Sequence, residues 1–188
     1  EDLLVQQTTA DYLTNTLGWN SVYAYNDEIL GVDGTLGRRS EKEIIMTRYL
    51  NQALRKFNPD LPDEAYESGI RQISEVSSAQ TLLATNQEKY DLLKNGVKVR
   101  YRNEKNKEKQ TILKIFDFNI PENNHFLCVR ELWVKGDIYR KRPDIMGFVN
   151  GIPLLFIECK NMHRDLEVAY RKNFADYKDT VPHIFHYN

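Results

Sequence analysis

Two carboxylates and an amine flank a short apolar hairpin in the last quarter of the chain, at Asp144, Glu158 and Lys160. Charged groups at the ends of buried strands cost free energy unless something pairs with them or uses them. Hydrolysis of a phosphodiester needs an attacking water, stabilisation of charge on the phosphate and help for the leaving oxygen, and bound magnesium can supply all three. These residue types at this spacing therefore predict a divalent-metal site that acts on a phosphate.

The three side chains have separate roles in this prediction. Magnesium prefers oxygen ligands and keeps several waters, so we expect Asp144 and Glu158 to hold it, with the backbone carbonyl of Cys159 as a third contact. Lys160 follows Glu158 by two residues and so points to the same face of a strand. Its amine would orient the water or stabilise the charge on the phosphate. The alternative is an ordinary ion pair between Lys160 and either carboxylate, which contributes little at a surface.

The geometry of the hairpin provides a test of this site. A plain two-residue turn at Asn150 and Gly151 would place Asp144 opposite Ile157, so that Glu158 points away from it. Both carboxylates can share a metal only if the hairpin contains one extra residue, and a glycine such as Gly147 is a natural place for it. We therefore predict a register break between Asp144 and Glu158.

The pattern Pro143-Asp144 followed by Glu158-x-Lys160 resembles the PD-(D/E)xK signature of nucleases. More of the chain resembles the amino-terminal nuclease domain of the R subunit of type I restriction enzymes. The resemblance runs in order over nearly all of the 188 residues and is carried by segments 34–41, 118–124, 142–145, 148–154 and 157–161.

This resemblance implies a magnesium-dependent DNA endonuclease in which Asp144, Glu158 and Lys160 occupy the positions of the catalytic triplet. It implies an α/β fold with a mixed central sheet and flanking helices, restriction-endonuclease-like in its core. The implied partners are double-stranded DNA and the modification and specificity subunits of the restriction complex. ATP would serve only a translocating motor, which these residues do not include.

The chain departs from the family pattern in two places. Asn173 and Tyr177 stand where the family tends to carry Gln-x-x-x-Tyr, and Gln6 and Gln7 stand where many relatives place a glutamate in the first helix. All four are auxiliary candidates for the site. The departures keep an alternative open, namely a non-cleaving DNA-binding or subunit-docking module that retains the fold.

Composition constrains the DNA contacts that the chain can make. A net charge of −1 gives no overall attraction to nucleic acid, so any affinity must come from local patches. Arg140, Lys141 and Arg142 adjoin the proposed metal site and are candidates for contact with the DNA backbone. A second patch, residues 94–114, holds eight basic residues and two acidic ones. It either follows a DNA backbone or is the solvated outer face of a hairpin.

Other global features indicate an ordinary cytoplasmic protein. Hydrophobic residues make up 41% and charged residues 28%, as in soluble globular domains. The two cysteines, Cys128 and Cys159, suggest no disulfide framework. No run approaches the roughly 20 apolar residues of a membrane span, and the start lacks the basic region of a signal peptide.

Hydrophobic periodicity predicts one domain over 1–188, mostly helical over 1–96 and rich in strands over 97–188. We expect the first helix to bury Val5, Tyr12, Leu13 and Leu17, and a capping box at Ser40 to open the second. The predicted helices are 3–17, 40–57, 63–76, 79–93 and 166–178; the predicted strands are 19–25, 97–102, 112–118, 126–134, the hairpin around 150–151, and 184–187. The last strand is cut off by the end of the chain, which suggests a fragment of a longer polypeptide.

Overall fold

A four-stranded mixed sheet carries the hairpin with the two carboxylates. The computed structural model describes residues 2–77, 79–160, 167 and 170–188. The strands are β1 (Asn20–Tyr23), β4 (Phe126–Arg130), β7 (Ile145–Val149) and β8 (Ile152–Ile157), in that spatial order. β1 pairs with β4 in parallel, and the other two pairs are antiparallel.

Helices and two small ribbons surround this sheet. The helices are α1 (Asp2–Asn15), α2 (Thr47–Phe57), α3 (Asp63–Ser74), α4 (Leu82–Asn95) and α5 (Ala175–Thr180), with a π-helical turn at Tyr170–Phe174 and 3₁₀ turns at Pro121–Asn123 and Pro182–Phe185. The ribbons pair β2 (Val97–Arg102) with β3 (Glu108–Leu113) and β5 (Val134–Lys135) with β6 (Arg140–Lys141). The predicted mixed α/β class with a mixed sheet and flanking helices is confirmed. The predicted helix 166–178 begins outside the described residues.

The central sheet is buried on both faces. Met146 and Phe148 of β7 belong to the main core, which also includes Leu50 and Leu54 of α2. Ile145 belongs to a smaller cluster that includes Leu13 of α1 and is packed against Trp19. Because successive strand residues point to opposite faces, burial on both sides explains why β7 and β8 read as continuous apolar runs.

The buried face of α1 differs from the predicted one. Val5, Tyr12 and Leu17 are exposed, whereas Gln6 and Ala10 are buried together with Leu13. Gln6 Nε2 donates a hydrogen bond of 2.6 Å to Glu131 Oε1, so a polar side chain lies on the inner face. Apolar periodicity alone cannot identify such a face, because the partner of Gln6 is distant in sequence.

The capping box at Ser40 does not open a helix, and α2 begins at Thr47 instead. The guanidinium of Arg38 contacts the backbone carbonyls of Glu41 and Glu43, and the Met46 N–H donates to the Gly151 carbonyl. These contacts hold the segment in a loop, because carbonyls and amides already bonded elsewhere cannot close helical turns.

Three predicted strands also differ from the observed ones. Asn103 Oδ1 accepts from the N–H groups of Lys105 and Lys107, which closes the first ribbon early, so the partner of β2 is Glu108–Leu113 and not 112–118. The strand predicted over 126–134 ends at Arg130, before Glu131 with its φ of 57°. The strand predicted over 184–187 is wrong, because Pro182 begins a 3₁₀ turn there.

His183 in this last turn should make stability depend on pH. Burial, followed by the neighbouring His186, lowers the pKa of His183 from 6.5 to about 4. As the pH falls, this histidine therefore takes up its proton at a higher pH in the unfolded chain than in the folded chain. Its contribution to the free energy of unfolding is fully present above about pH 6.5 and is lost as the pH drops toward 4. We expect a loss of about 3 kcal/mol, measured by urea unfolding, from this histidine. His183→Gln should flatten the profile; an identical profile in parent and variant would contradict the assignment.

Candidate active site

The hairpin of β7 and β8 contains the predicted register break. Gly147 lies opposite Leu155 but Phe148 lies opposite Pro153, which leaves Leu154 as the additional residue. A Cβ atom at Gly147 would lie 2.9 Å from both Leu155 Cβ and Trp19 Cζ3, so the close approach at the bulge requires glycine. The prediction of a break between Asp144 and Glu158, at Gly147, is confirmed.

The bulge brings Asp144 and Glu158 to the same side of the hairpin. Ile145 pairs with Ile157, so the residues immediately beyond them, Asp144 and Glu158, lie across from each other. Asp144 Oδ2 accepts a hydrogen bond of 2.6 Å from the Cys159 N–H. Lys160 Nζ lies 2.7 Å from Glu158 Oε1. The two acids and the amine of the predicted triplet therefore meet in one place.

Tyr177 joins this group from α5. Its hydroxyl donates a hydrogen bond of 3.2 Å to Glu158 Oε2, and its side chain is buried. Burial and the Glu158 carboxylate raise the pKa of Tyr177, so the hydroxyl keeps its proton and acts as a donor. Lys160 and Tyr177 together contact both oxygens of Glu158 and restrict its orientation.

The electrostatics of Asp144 favour a cation at this place. Burial, followed by the Glu158 carboxylate, raises the pKa of Asp144, while the Cys159 N–H and Lys160 oppose the change. Two carboxylates held close in a half-buried position repel each other, and a bound divalent ion relieves that repulsion. The described residues contain no group of three or more His, Cys, Asp or Glu placed to bind a metal. Magnesium, however, needs few protein ligands besides water.

Glu131 is a residue of this region that the sequence reading did not single out. It is 6% exposed, and its N–H donates a hydrogen bond of 3.0 Å to the Asp144 carbonyl. Its carboxylate accepts from Gln6 Nε2 and pairs with Arg142 Nε, each at 2.6 Å. The available signal was an acidic residue within the apolar run 126–134, since a buried charge requires partners.

The auxiliary candidates have different positions relative to the carboxylates. Gln6 reaches Glu131, next to Asp144, whereas Gln7 is exposed and contacts Asp11 and Arg130. Asn173 lies in the π-helical turn, and within the described part of the chain it makes no hydrogen bond to Asp144 or Glu158. Of the four candidates, Tyr177 contacts the triplet directly and Gln6 reaches it through Glu131.

The three basic residues before Pro143 each contact a carboxylate. The pairs are Arg140 with Glu41, Lys141 with Asp176, and Arg142 with Glu131. The Arg140 guanidinium also lies over the Trp133 ring, 3.8 Å from its centroid. A DNA phosphate would have to compete with these intramolecular acids, so contact between this cluster and the DNA backbone stays a prediction.

Replacing Glu131 by glutamine should weaken metal binding at the site. Glu131 connects α1, Arg142 and the backbone of Asp144, and loss of such a supporting group costs about 10- to 100-fold in metal affinity. Titration of the chain with Mn²⁺ measures the effect. Glu41→Gln is the matched control, because it breaks an arginine pair without a described contact to Asp144. Equal affinity in Glu131→Gln and the parent would contradict the supporting role.

No helix among the described residues is long and apolar enough to cross a membrane.

The chain has relatives among known restriction enzymes. It is 35% identical over 188 residues to the type I restriction enzyme HindI endonuclease subunit of Haemophilus influenzae, covering 98% of this chain and 17% of the relative. It is 25% identical over 193 residues to the putative type I restriction enzyme MjaIXP endonuclease subunit of Methanocaldococcus jannaschii, covering 100% and 18%.

The chain thus spans less than a fifth of the length of these two relatives. A family model described as the type I restriction enzyme R protein N terminus matches residues 1–188. The chain therefore belongs to the family of type I restriction enzyme R protein N-terminal regions.

Proposed function

We propose that this chain is the metal-dependent DNA endonuclease domain of a type I restriction enzyme, with a PD-(D/E)xK site in a restriction-endonuclease-like core. The observation that carries the proposal is the bulge in the hairpin of β7 and β8, which places Asp144 and Glu158 on one side. A hairpin without the extra residue would place the two acids on opposite faces, because a shift of one residue in register moves a side chain to the other face of the sheet. Membership of an endonuclease-subunit family supports the same reading.

In this proposal, Asp144, Glu158 and the Cys159 carbonyl hold Mg²⁺. When bound, the ion lowers the pKa of a coordinated water and stabilises charge on the scissile phosphate. The chain supplies the positioning. The Cys159 N–H fixes Asp144, while Lys160 and Tyr177 fix Glu158. Lys160 also lies where its ammonium can stabilise a phosphate oxygen or orient the attacking water.

The rest of the complex would supply what these residues do not. We propose double-stranded DNA as the substrate, modification and specificity subunits as partners, ATP as fuel for a motor elsewhere in the subunit, and the cytoplasm as the location. Specific recognition would be delegated to the partners, because phosphate contacts position a protein on DNA without reading its sequence.

A second candidate is a DNA-binding or subunit-docking module that keeps the fold without cleaving. The observation that favours it concerns the auxiliary amides. Gln6 hydrogen-bonds to Glu131, and Asn173 makes no described hydrogen bond to either carboxylate of the triplet. Under this reading, the Lys160–Glu158 pair is a structural ion pair.

Plasmid nicking by the intact subunit, assembled with its partners, distinguishes the two candidates. We expect cleavage with Mg²⁺, none after EDTA treatment, and a loss of about 10²- to 10³-fold in Lys160→Ala. Lys42→Ala is the matched control, since it removes a lysine from an exposed ion pair with Asp137. ATP-driven translocation should persist in both variants. Unchanged nicking in Lys160→Ala would favour the non-cleaving module.

A further inference from the structure

The ribbon of β2 and β3 presents a basic face to solvent. Along β2, Val97 and Val99 are buried, whereas the alternating residues Lys98, Arg100 and Arg102 are exposed. The buried side packs on α3, where a Cβ added at Gly69 would meet Leu113. The two strands form a sheet of their own, so the described structure leaves the opposite side uncovered.

The charges on this ribbon are only partly offset by its own acidic residues. Residues 97–113 include six basic residues, Lys98, Arg100, Arg102, Lys105, Lys107 and Lys109, and two acidic ones, Glu104 and Glu108. Within the described part of the chain, none of the six belongs to an ion pair. Across the strands, Lys98 lies opposite Ile112, Arg100 opposite Gln110 and Arg102 opposite Glu108.

This distribution contrasts with the cluster beside the site. Arg140, Lys141 and Arg142 are each paired with a carboxylate. A phosphate approaching the ribbon would meet cations that no described carboxylate pairs with, of which Arg102 donates to the neutral Asn106 side chain, whereas at Arg140 it would displace a protein carboxylate. In a chain of net charge −1, the ribbon is therefore a local concentration of available positive charge.

We propose that the outer face of the β2–β3 ribbon, formed by Lys98, Arg100 and Arg102, binds the phosphate backbone of duplex DNA without regard to sequence. Alternate residues of a strand repeat about every 6.8 Å, so the three cations form a row roughly 14 Å long that can lie along one DNA backbone. The inference rests on the proposed function, because it supplies that nuclease with a DNA-positioning surface separate from Asp144 and Glu158.

The test measures the affinity of the 188-residue chain for a short duplex, without divalent metal, as a function of salt. Each lost phosphate contact should reduce the steepness of log K against log salt by about 0.9. For Arg100→Ala with Arg102→Ala, the gain in affinity from 200 to 50 mM salt should therefore shrink roughly 12-fold. Arg39→Ala with Arg71→Ala is the matched control; both arginines are exposed and belong to no described ion pair. Duplexes of unrelated sequence should give the same result.

Other results overturn the inference. Lysines and arginines on a ribbon edge also prevent edge-to-edge association, and variants that aggregate with unchanged DNA affinity would assign them that role. Unchanged DNA affinity with impaired assembly of the subunits would identify an acidic protein surface as the partner. Failure here is distinguishable from failure of the proposed function, because binding is measured without metal and nicking by Lys160→Ala is a separate readout.

Discussion

Asp144→Ala is expected to reduce DNA cleavage by the intact, assembled subunit by at least about 10³-fold. In the proposed site Asp144 holds the metal, so its loss should remove several kcal/mol of transition-state stabilisation, and about 4 kcal/mol corresponds to that factor. Glu158 cannot compensate, because in the proposal it is already a ligand of the same ion and Lys160 and Tyr177 fix its orientation. Plasmid nicking with Mg²⁺ measures the loss, with translocation followed in the same preparation.

Asp137→Ala is the control for this substitution, since Asp137 is exposed and pairs with Lys42 at 3.1 Å. It should cut like the parent. In the isolated chain, Mn²⁺ binding should be lost in Glu158→Ala as well as in Asp144→Ala, which links cleavage to the metal and not to folding. Full nicking by Asp144→Ala would end the nuclease assignment.

The free energy of unfolding of Asp144→Asn should show whether a loss of cleavage comes from the site itself or from misfolding of the chain. Burial and Glu158 raise the pKa of Asp144, so near pH 7 its ionisation disfavours the metal-free folded state. The asparagine keeps an oxygen that can accept the Cys159 N–H. We therefore expect a higher free energy of unfolding than the parent at pH 7 in EDTA. The difference should disappear below the ordinary aspartate pKa, where the unfolded carboxyl is protonated as well.

Arg38→Ala is expected to lower the free energy of unfolding by about 3–5 kcal/mol, because it breaks a buried ion pair and leaves one charge unpaired. Arg38 is 0% exposed and contacts both oxygens of Glu28 at 2.6 Å. Its guanidinium also donates to the backbone carbonyl of Trp133. Without Arg38, the Glu28 carboxylate and several backbone carbonyls, which lie between the loop before α2 and the segment that follows β4, lose their hydrogen-bond donor.

The neighbouring residue provides the control for this prediction. Arg39 is exposed, so Arg39→Ala should change stability by no more than about 0.5 kcal/mol. Urea unfolding of both variants at pH 7 gives the comparison. The melting temperature of Arg38→Ala should fall by roughly 10 °C. Similar stabilities for the two variants would show that Glu28 and the carbonyls are satisfied without Arg38.

Local periodicity was enough to predict several parts of this protein. The helices α3 and α4 and the strand β2 follow from apolar spacing and turn residues, which act over a few positions. The bulge at Gly147 was also predictable, because the two-residue period of a strand determines on which side Asp144 and Glu158 must lie. That requirement involves only the residues between the two acids.

Contacts between distant segments decided the rest. Arg38, which donates to the Trp133 carbonyl 95 positions away, holds a predicted helical start in a loop. Glu131 draws Gln6 to the inner face of α1, and carboxylates from other segments pair with Arg140 and Lys141. Each partner of Gln6, Arg140 and Lys141 is at least 35 positions away in the sequence.

The placement of the triplet was thus readable from neighbouring residues, because backbone parity is a local property. The surroundings of the triplet were not readable in this way. Which side chains are buried, which charges are paired and which cations can bind a phosphate all depend on the groups that the folded chain brings together. A short stretch of sequence does not contain that information.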